Sequence, residues 1–146
     1  MAHPVYGVGL LNQAPLLLVL AHAGNGYARV TFSDISGLTT GVGPYTATRP
    51  TFSRATSPGA GYSTLVPYNV SGFGTSALEG RYAYGVPPTF GAGVGSWPVS
   101  VRDGVSIRTR FPQRSGPVIP SDCPLAISAG ATGNFVWNAN IHFEEL

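Results

Sequence analysis

A chain of 146 residues with 43% hydrophobic and only 10% charged residues can bury one domain's core without covalent staples. Its 7 Tyr, 7 Phe and 2 Trp are too many for disorder, while 20 Gly and 13 Pro break it too often for a helical bundle. A net charge of +2 and a single cysteine exclude a strongly basic nucleic-acid domain and an intrachain disulfide.

Residues 1–14 are small, Gly-rich and uncharged, and read as an extended N-terminal arm ahead of one domain at 15–146. Leu16 to Leu20, followed by Ala21-His22-Ala23, imitate a secretory leader, but no Lys or Arg precedes them and Pro15 interrupts the start. The run is also too short to span a bilayer, so it reads as a strand buried on both faces. Gly24-Asn25-Gly26 is a turn signal, which makes Leu16–His22 and residues 27–33 a hairpin. Residues 37–44 read as a loop. Pro50 confines residues 46–54 to an edge or a break, and Pro67 splits residues 62–70. Residues 71–80 read as a loop with one helical turn at 76–79, residues 81–84 as a short aromatic strand, and residues 86–96 as a Pro- and Gly-rich loop. Asp103-Gly104 joins residues 97–101 to residues 105–111 in a second hairpin.

Two segments alternate cleanly. In residues 105–111, Val105, Ile107, Thr109 and Phe111 face one way and Ser106, Arg108 and Arg110 the other. In residues 134–143, Phe135, Trp137, Ala139, Ile141 and Phe143 form an inward face, against Asn134, Val136, Asn138, Asn140 and His142 outward. A strand that long sits centrally in its sheet, with residues 126–129 as its expected partner. Strands this frequent, without helical periodicity, predict an all-β single-domain β-sandwich or jelly-roll-like barrel.

Catalytic chemistry finds little support. The acids are Asp34, Glu79, Asp103, Asp122, Glu144 and Glu145; Asp34 and Asp103 sit in turn-like contexts, where the side chain caps its own backbone. His3, His22 and His142 show no metal-ligand spacing, and His22 reads as a strand-end residue bonded to backbone. Cys123 lies before an apolar run and reads as a buried structural thiol. Gly91-Ala92-Gly93-Val94-Gly95-Ser96 lacks the spacing of a phosphate loop, Asn69-Val70-Ser71 is a glycosylation sequon in form only, and no G-x-S-x-G elbow occurs. The expectation is no enzyme, no metal and no cofactor.

All eight cations are Arg. A GC-rich coding sequence gives that pattern, and so do contact surfaces, where Arg is enriched and Lys depleted. Lys is also the usual guard of exposed sheet edges, and here it is missing. Arg102, Arg108, Arg110 and Arg114, together with Tyr82, Tyr84 and Trp97 as exposed aromatics, are the candidate interface.

The apolar first strand, the Thr-, Ser-, Gly- and Ala-rich middle at 46–68, the lack of charge clusters and the closing Ile141-His142-Phe143-Glu144-Glu145-Leu146 resemble the small β-sandwich virion proteins of tailed bacteriophages. Those proteins decorate or cement heads or build minor tail and fibre parts. The resemblance covers most of the chain and carries over no site residue. It implies a homo-oligomer within a virion assembled in the host cytoplasm, contacting the major capsid protein or other virion proteins, with neither nucleic acid nor membrane as partner. Glu144 and Glu145 are candidate partners for a neighbour's Arg residues. The alternative is a carbohydrate- or receptor-binding module of a tail fibre or adhesin, with Tyr82, Tyr84 and Trp97 stacking on a sugar.

Overall fold

The computed structural model describes residues 3–22, 26–71, 74–96, 105–112 and 115–146. Their regular structure is all strand: β1 (Val5–Gln13), β2 (Leu16–His22), β3 (Tyr27–Thr39), β4 (Tyr45–Ala47), β5 (Thr51–Ala55), β6 (Ser63–Leu65), β7 (Tyr68–Ser71), β8 (Leu78–Tyr82), β9 (Phe90–Ser96), β10 (Val105–Arg110), β11 (Val118–Pro120), β12 (Leu125–Ala129), β13 (Ala131–Gly133) and β14 (Phe135–Glu145). The first sheet runs β10-β3-β14-β1-β7, with β11 also on β3; the second runs β6-β8-β2-β12-β5-β9; β13 and β4 form a small separate ribbon. Every pairing is antiparallel, and the two large sheets face each other as a β-sandwich.

Hydrophobic alternation builds the layer between the sheets. Phe135, Trp137, Ala139, Ile141 and Phe143 from β14, with Tyr6, Val8 and Leu10 from β1, meet Leu16, Leu18 and Leu20 from β2, Leu125 and Ile127 from β12, and Phe52 from β5. Trp137 is fully buried, and its indole N–H donates to Gly130 O at 3.0 Å, satisfying the one polar atom the ring brings inside. The inward and outward sets expected for β14 both hold, and the strand is central, between β3 and β1.

Several expectations are corrected. Residues 5–13 are no arm: β1 pairs with β14 on one side and β7 on the other, because Tyr6, Val8 and Leu10 alternate into the core. Leu16–His22 is buried as expected, but it makes no hairpin with residues 27–33. β2 pairs with β8 and β12 in the second sheet, while β3 lies in the first. Residues 126–129 likewise do not partner β14; β12 lies across the core from it, between β2 and β5. β3 continues through Gly37 to Thr39, where a loop was expected, since the missing side chain at Gly37 leaves room for the Phe135 ring. Residues 78–82 are strand, not helical turn, and residues 90–96 are strand within an expected loop. Cys123 is only partly buried. Pro50 and Pro67 do break the chain, each lying between two strands. The expected hairpin at 97–111 lies in part outside the described residues; its second strand, β10, pairs with β3.

Candidate functional site

Alternation that sends one half of each strand into the core sends the other half to an outer face. On the first sheet, the registers align Arg110, Phe32, His142, Gly7 and Tyr68 in one row across β10, β3, β14, β1 and β7. The row is in contact throughout. Arg110 stands over the Phe32 ring at 5.4 Å, Phe32 tilts against His142 at 5.1 Å, and Tyr68 meets His142 edge-on at 6.2 Å. Gly7 makes this possible: a Cβ there would overlap the Tyr68 ring, so the ring lies across β1 and its hydroxyl donates to Asn140 Oδ1 at 2.6 Å on β14. The adjacent row aligns Arg108, Asp34, Asn140 and Gly9. Arg108 Nε donates to Asp34 Oδ2 at 3.2 Å. Beside Asn140, Gly9 has nothing nearer than 4.0 Å to a side chain's first atom.

These side chains are only partly covered. Phe32, Asn138, Asn140 and His142 are half-buried, while Arg108, Arg110 and Tyr68 are exposed. Burial, and then the nearby Arg110 charge, hold His142 below the ordinary imidazole range. The face also ends in an open edge: all four residues of β7 are exposed, with Tyr68 at 44%, Val70 at 45% and neighbouring Val66 at 85%. No Lys guards it.

The outer face of the second sheet is different. Its matching row, Ser53, Ala126, Val19 and Arg81, points away from the core, yet Val19 is 1% and Ala126 0% exposed. The chain's own loops cap it. Residues 56–62 and 83–89 are zipped by Thr56 N–H to Thr89 O at 2.7 Å and by reciprocal Ala60–Val86 bonds at 2.9 Å. Arg81 fastens the cap from below, with Nε on Glu79 Oε1 at 2.8 Å and its guanidinium 4.7 Å over the Tyr62 ring, which in turn packs on Tyr84. Burial pushes the Tyr84 hydroxyl up to about 12, with Tyr62 and Glu79 adding and Arg81 opposing.

The expected interface residues are therefore divided. Arg108 and Arg110 lie together on the first sheet's outer face. Tyr82 packs against the core and Tyr84 under the cap, so neither is the exposed aromatic that was expected. Trp97, Arg102 and Arg114 lie outside the described residues. Asp34 is no turn cap but a mid-strand residue paired with Arg108. Glu145 is engaged within its own chain, accepting from Ala77 N–H at 2.7 Å and from the Ser76 hydroxyl, and so is not a spare partner for a neighbour's Arg. His22 meets its expectation, with Nε2 2.8 Å from Ile119 O. Phe32, Tyr68, Asn140 and His142 were not singled out by sequence reasoning, although the alternation of β14 already turned Asn140 and His142 outward.

Among the described residues, no group of three His, Cys, Asp or Glu gathers as a metal site would require. No family model, curated protein or solved structure matches this chain.

Proposed function

We propose that the protein is a structural component of a virion, of the capsid decoration or cement kind, which joins neighbouring subunits through the outer face and open edge of its first sheet. The observation that carries the proposal is the contrast between the two outer faces. One is sealed by the chain's own loops, and the other keeps half-buried Phe32, Asn140 and His142 beside exposed Tyr68, Arg108 and Arg110, open to a partner. Tyr and Arg are the side chains that anchor protein contacts.

Size is adequate. β3 and β14 pair from Phe135–Thr39 to Glu145–Ala28, and five strands lie side by side. At about 3.4 Å per residue and about 4.8 Å per strand, the face covers on the order of 700 Å². A standard interface takes about 800 Å² from each partner, so this face with its β7 edge suffices for one neighbour. Copies of this chain, the major capsid protein or other virion proteins are the partners in this proposal. Its site of action is the virion, with neither nucleic acid nor membrane as partner and no catalytic role.

Sedimentation velocity of the purified chain over a concentration series tests this. Reversible self-association is expected, weakened by Val70→Lys and by Tyr68→Ala. A monomer at every concentration that also fails to bind capsid shells would overturn it. Deleting residues 1–14 is not a suitable test, since it removes a core strand.

A further inference from the structure

Two stretches of the chain, 1–28 and 55–78, contain no Asp, Glu, Lys or Arg. The fold brings them together. β1 comes from the first stretch and β6 and β7 from the second, and β7 and β6 are terminal strands of the first and second sheets. A Cβ on Gly80 of β8 would meet Val8 of β1 and Leu65 of β6, so β8 lies under β1 and both sheets end on the same flank. Only Val66 and Pro67 join β6 to β7. Leu11 at 69%, Val66, Tyr68 and Val70 stand exposed along that flank.

The backbone there is open as well. Glu145 N–H donates to Pro4 O at 3.0 Å. The alternation of an antiparallel ladder then directs Tyr6, Val8 and Leu10 onto β14, and Val5, Gly7 and Gly9 toward β7. β7 is aligned with Val5 to Gly7 only, so Gly9 lies beyond its reach and has no backbone partner among the described residues. β7 also holds a bulge. Val5 faces Ser71 and Tyr6 faces Asn69, which makes Val70 the extra residue, left without a partner on β1.

Charge decides what covers such a flank. A charged partner would lose water there and gain no opposite charge. A second copy brings an equally neutral flank, and two-fold pairing of the two opposes no like charges. The far edge of the first sheet is the contrast: β10 carries Arg108 and Arg110, and the same pairing there would set guanidinium groups side by side. Area agrees. The nine residues of β1, at about 3.4 Å each, and two sheets about 10 Å apart with their outer side chains span about 30 by 20 Å. Over both copies that is about 1,200 Å², above the roughly 1,000 Å² that a specific interface needs.

We propose that two copies of the chain join through this neutral flank about a two-fold axis, with β7 of one antiparallel to β7 of the other. The contact deepens the assembly reading and rests on it, giving the edge its own partner and leaving the outer face for another. It is also closed, because the Arg-bearing edge of each copy lies at the far end of the pair.

Electron paramagnetic resonance of the nitroxide-labelled full chain tests this, with the one native thiol removed by Cys123→Ser. Labels at Val70→Cys should couple across the pair at under about 20 Å. Labels at Arg108→Cys should lie about 40 Å apart, since four strand spacings of about 4.8 Å separate β7 from β10 in each copy. The Val70→Cys coupling should survive Phe32→Ala on the outer face. Val66→Lys, at an exposed position, should raise the concentration needed for coupling about tenfold, because it sets like charges across the axis. Self-association with uncoupled Val70→Cys labels would overturn the two-fold contact and leave the outer-face reading standing. Coupling that disappears with Phe32→Ala, or that ignores Val66→Lys, would overturn it too. A chain that neither self-associates nor binds capsid shells fails the assembly reading, and this contact with it.

Discussion

Val19 on β2 and Val136 on β14 both point away from the core, yet Val19 is 1% exposed and Val136 is only half-buried. Nothing in the strands themselves makes this difference. Val19 lies under the zipped loops 56–62 and 83–89, whereas the side chains around Val136 bond mainly among their own strands. The second sheet thus has two buried faces and the first has one. Burial on both faces explains why β2 is a continuous apolar run, and burial on one face explains why β14 alternates. The open face carries Phe32, Tyr68, Arg108 and Arg110, the side-chain types on which the proposed assembly role rests.

Matched substitutions should separate the faces most sharply. Val19→Asp buries a carboxylate beneath the cap and should cost about 4 kcal/mol or more of unfolding free energy. Val136→Asp, on the open face, should cost less than about 1 kcal/mol. Urea unfolding of the pair measures both, and equal losses would mean that the open face is as sealed as the capped one. The next effect in size concerns association. Tyr68→Ala and Phe32→Ala should each raise the self-association Kd about tenfold, or about 1.4 kcal/mol. Tyr62→Ala, an equally aromatic change under the cap, should destabilise the fold and leave the association constant of the folded protein unchanged.

The fate of particular residues shows what could be read from the sequence. Alternation gave the facing of β14 in full, because one buried face imposes a period of two. Arg108 and Arg110 were assigned to one face for the same reason. Strand pairing was not legible. Leu16–His22 and residues 27–33 are close in sequence and joined by a turn signal, but an all-apolar strand can satisfy itself in either sheet, and pairing with β8 and β12 decides the matter. In β1, Tyr6, Val8 and Leu10 alternate with Gly7 and Gly9. Read as pliability, the glycines hid a strand whose outer face is left bare so that Tyr68 can lie across it. The capping loops read as Pro- and Gly-rich loops and nothing more, because their burial of Val19 is a tertiary fact with no period. The aromatic row was missed for a related reason: Phe32, His142 and Tyr68 come from three strands far apart in sequence.

A smaller effect follows from His142. Burial and Arg110 hold its folded pKa below the ordinary value of about 6.5. As pH falls below that value, the unfolded chain takes up a proton that the folded row resists, so stability is lost until the folded pKa is reached and is level below it. The urea midpoint should therefore decline on acidification from neutral pH, and His142→Gln should flatten part of that decline. An unchanged slope would mean that His142 is not held neutral by the row. In the folded protein the proton is taken up only around the lowered pKa, where it would set a second cation beside Arg110, so self-association should weaken at a pH below the range over which stability declines.

The smallest expected change lies under the cap. The Tyr84 hydroxyl is buried without a hydrogen-bond partner among the described residues, while its ring packs on Tyr62. Removing a buried hydroxyl that bonds to nothing forfeits no interaction and relieves a desolvation cost, so Tyr84→Phe should shift stability by no more than about 0.5 kcal/mol, in the stabilising direction. In a spectrophotometric titration the same variant should lose a late phenol step, since burial has pushed Tyr84 up to about 12. A clear loss of stability instead would show that the hydroxyl does hold a partner and that the cap is fastened through Tyr84 as well as through Arg81. Tyr68→Phe on the open face should behave oppositely: it gives up the 2.6 Å bond to Asn140 and loosens the ring that closes the row.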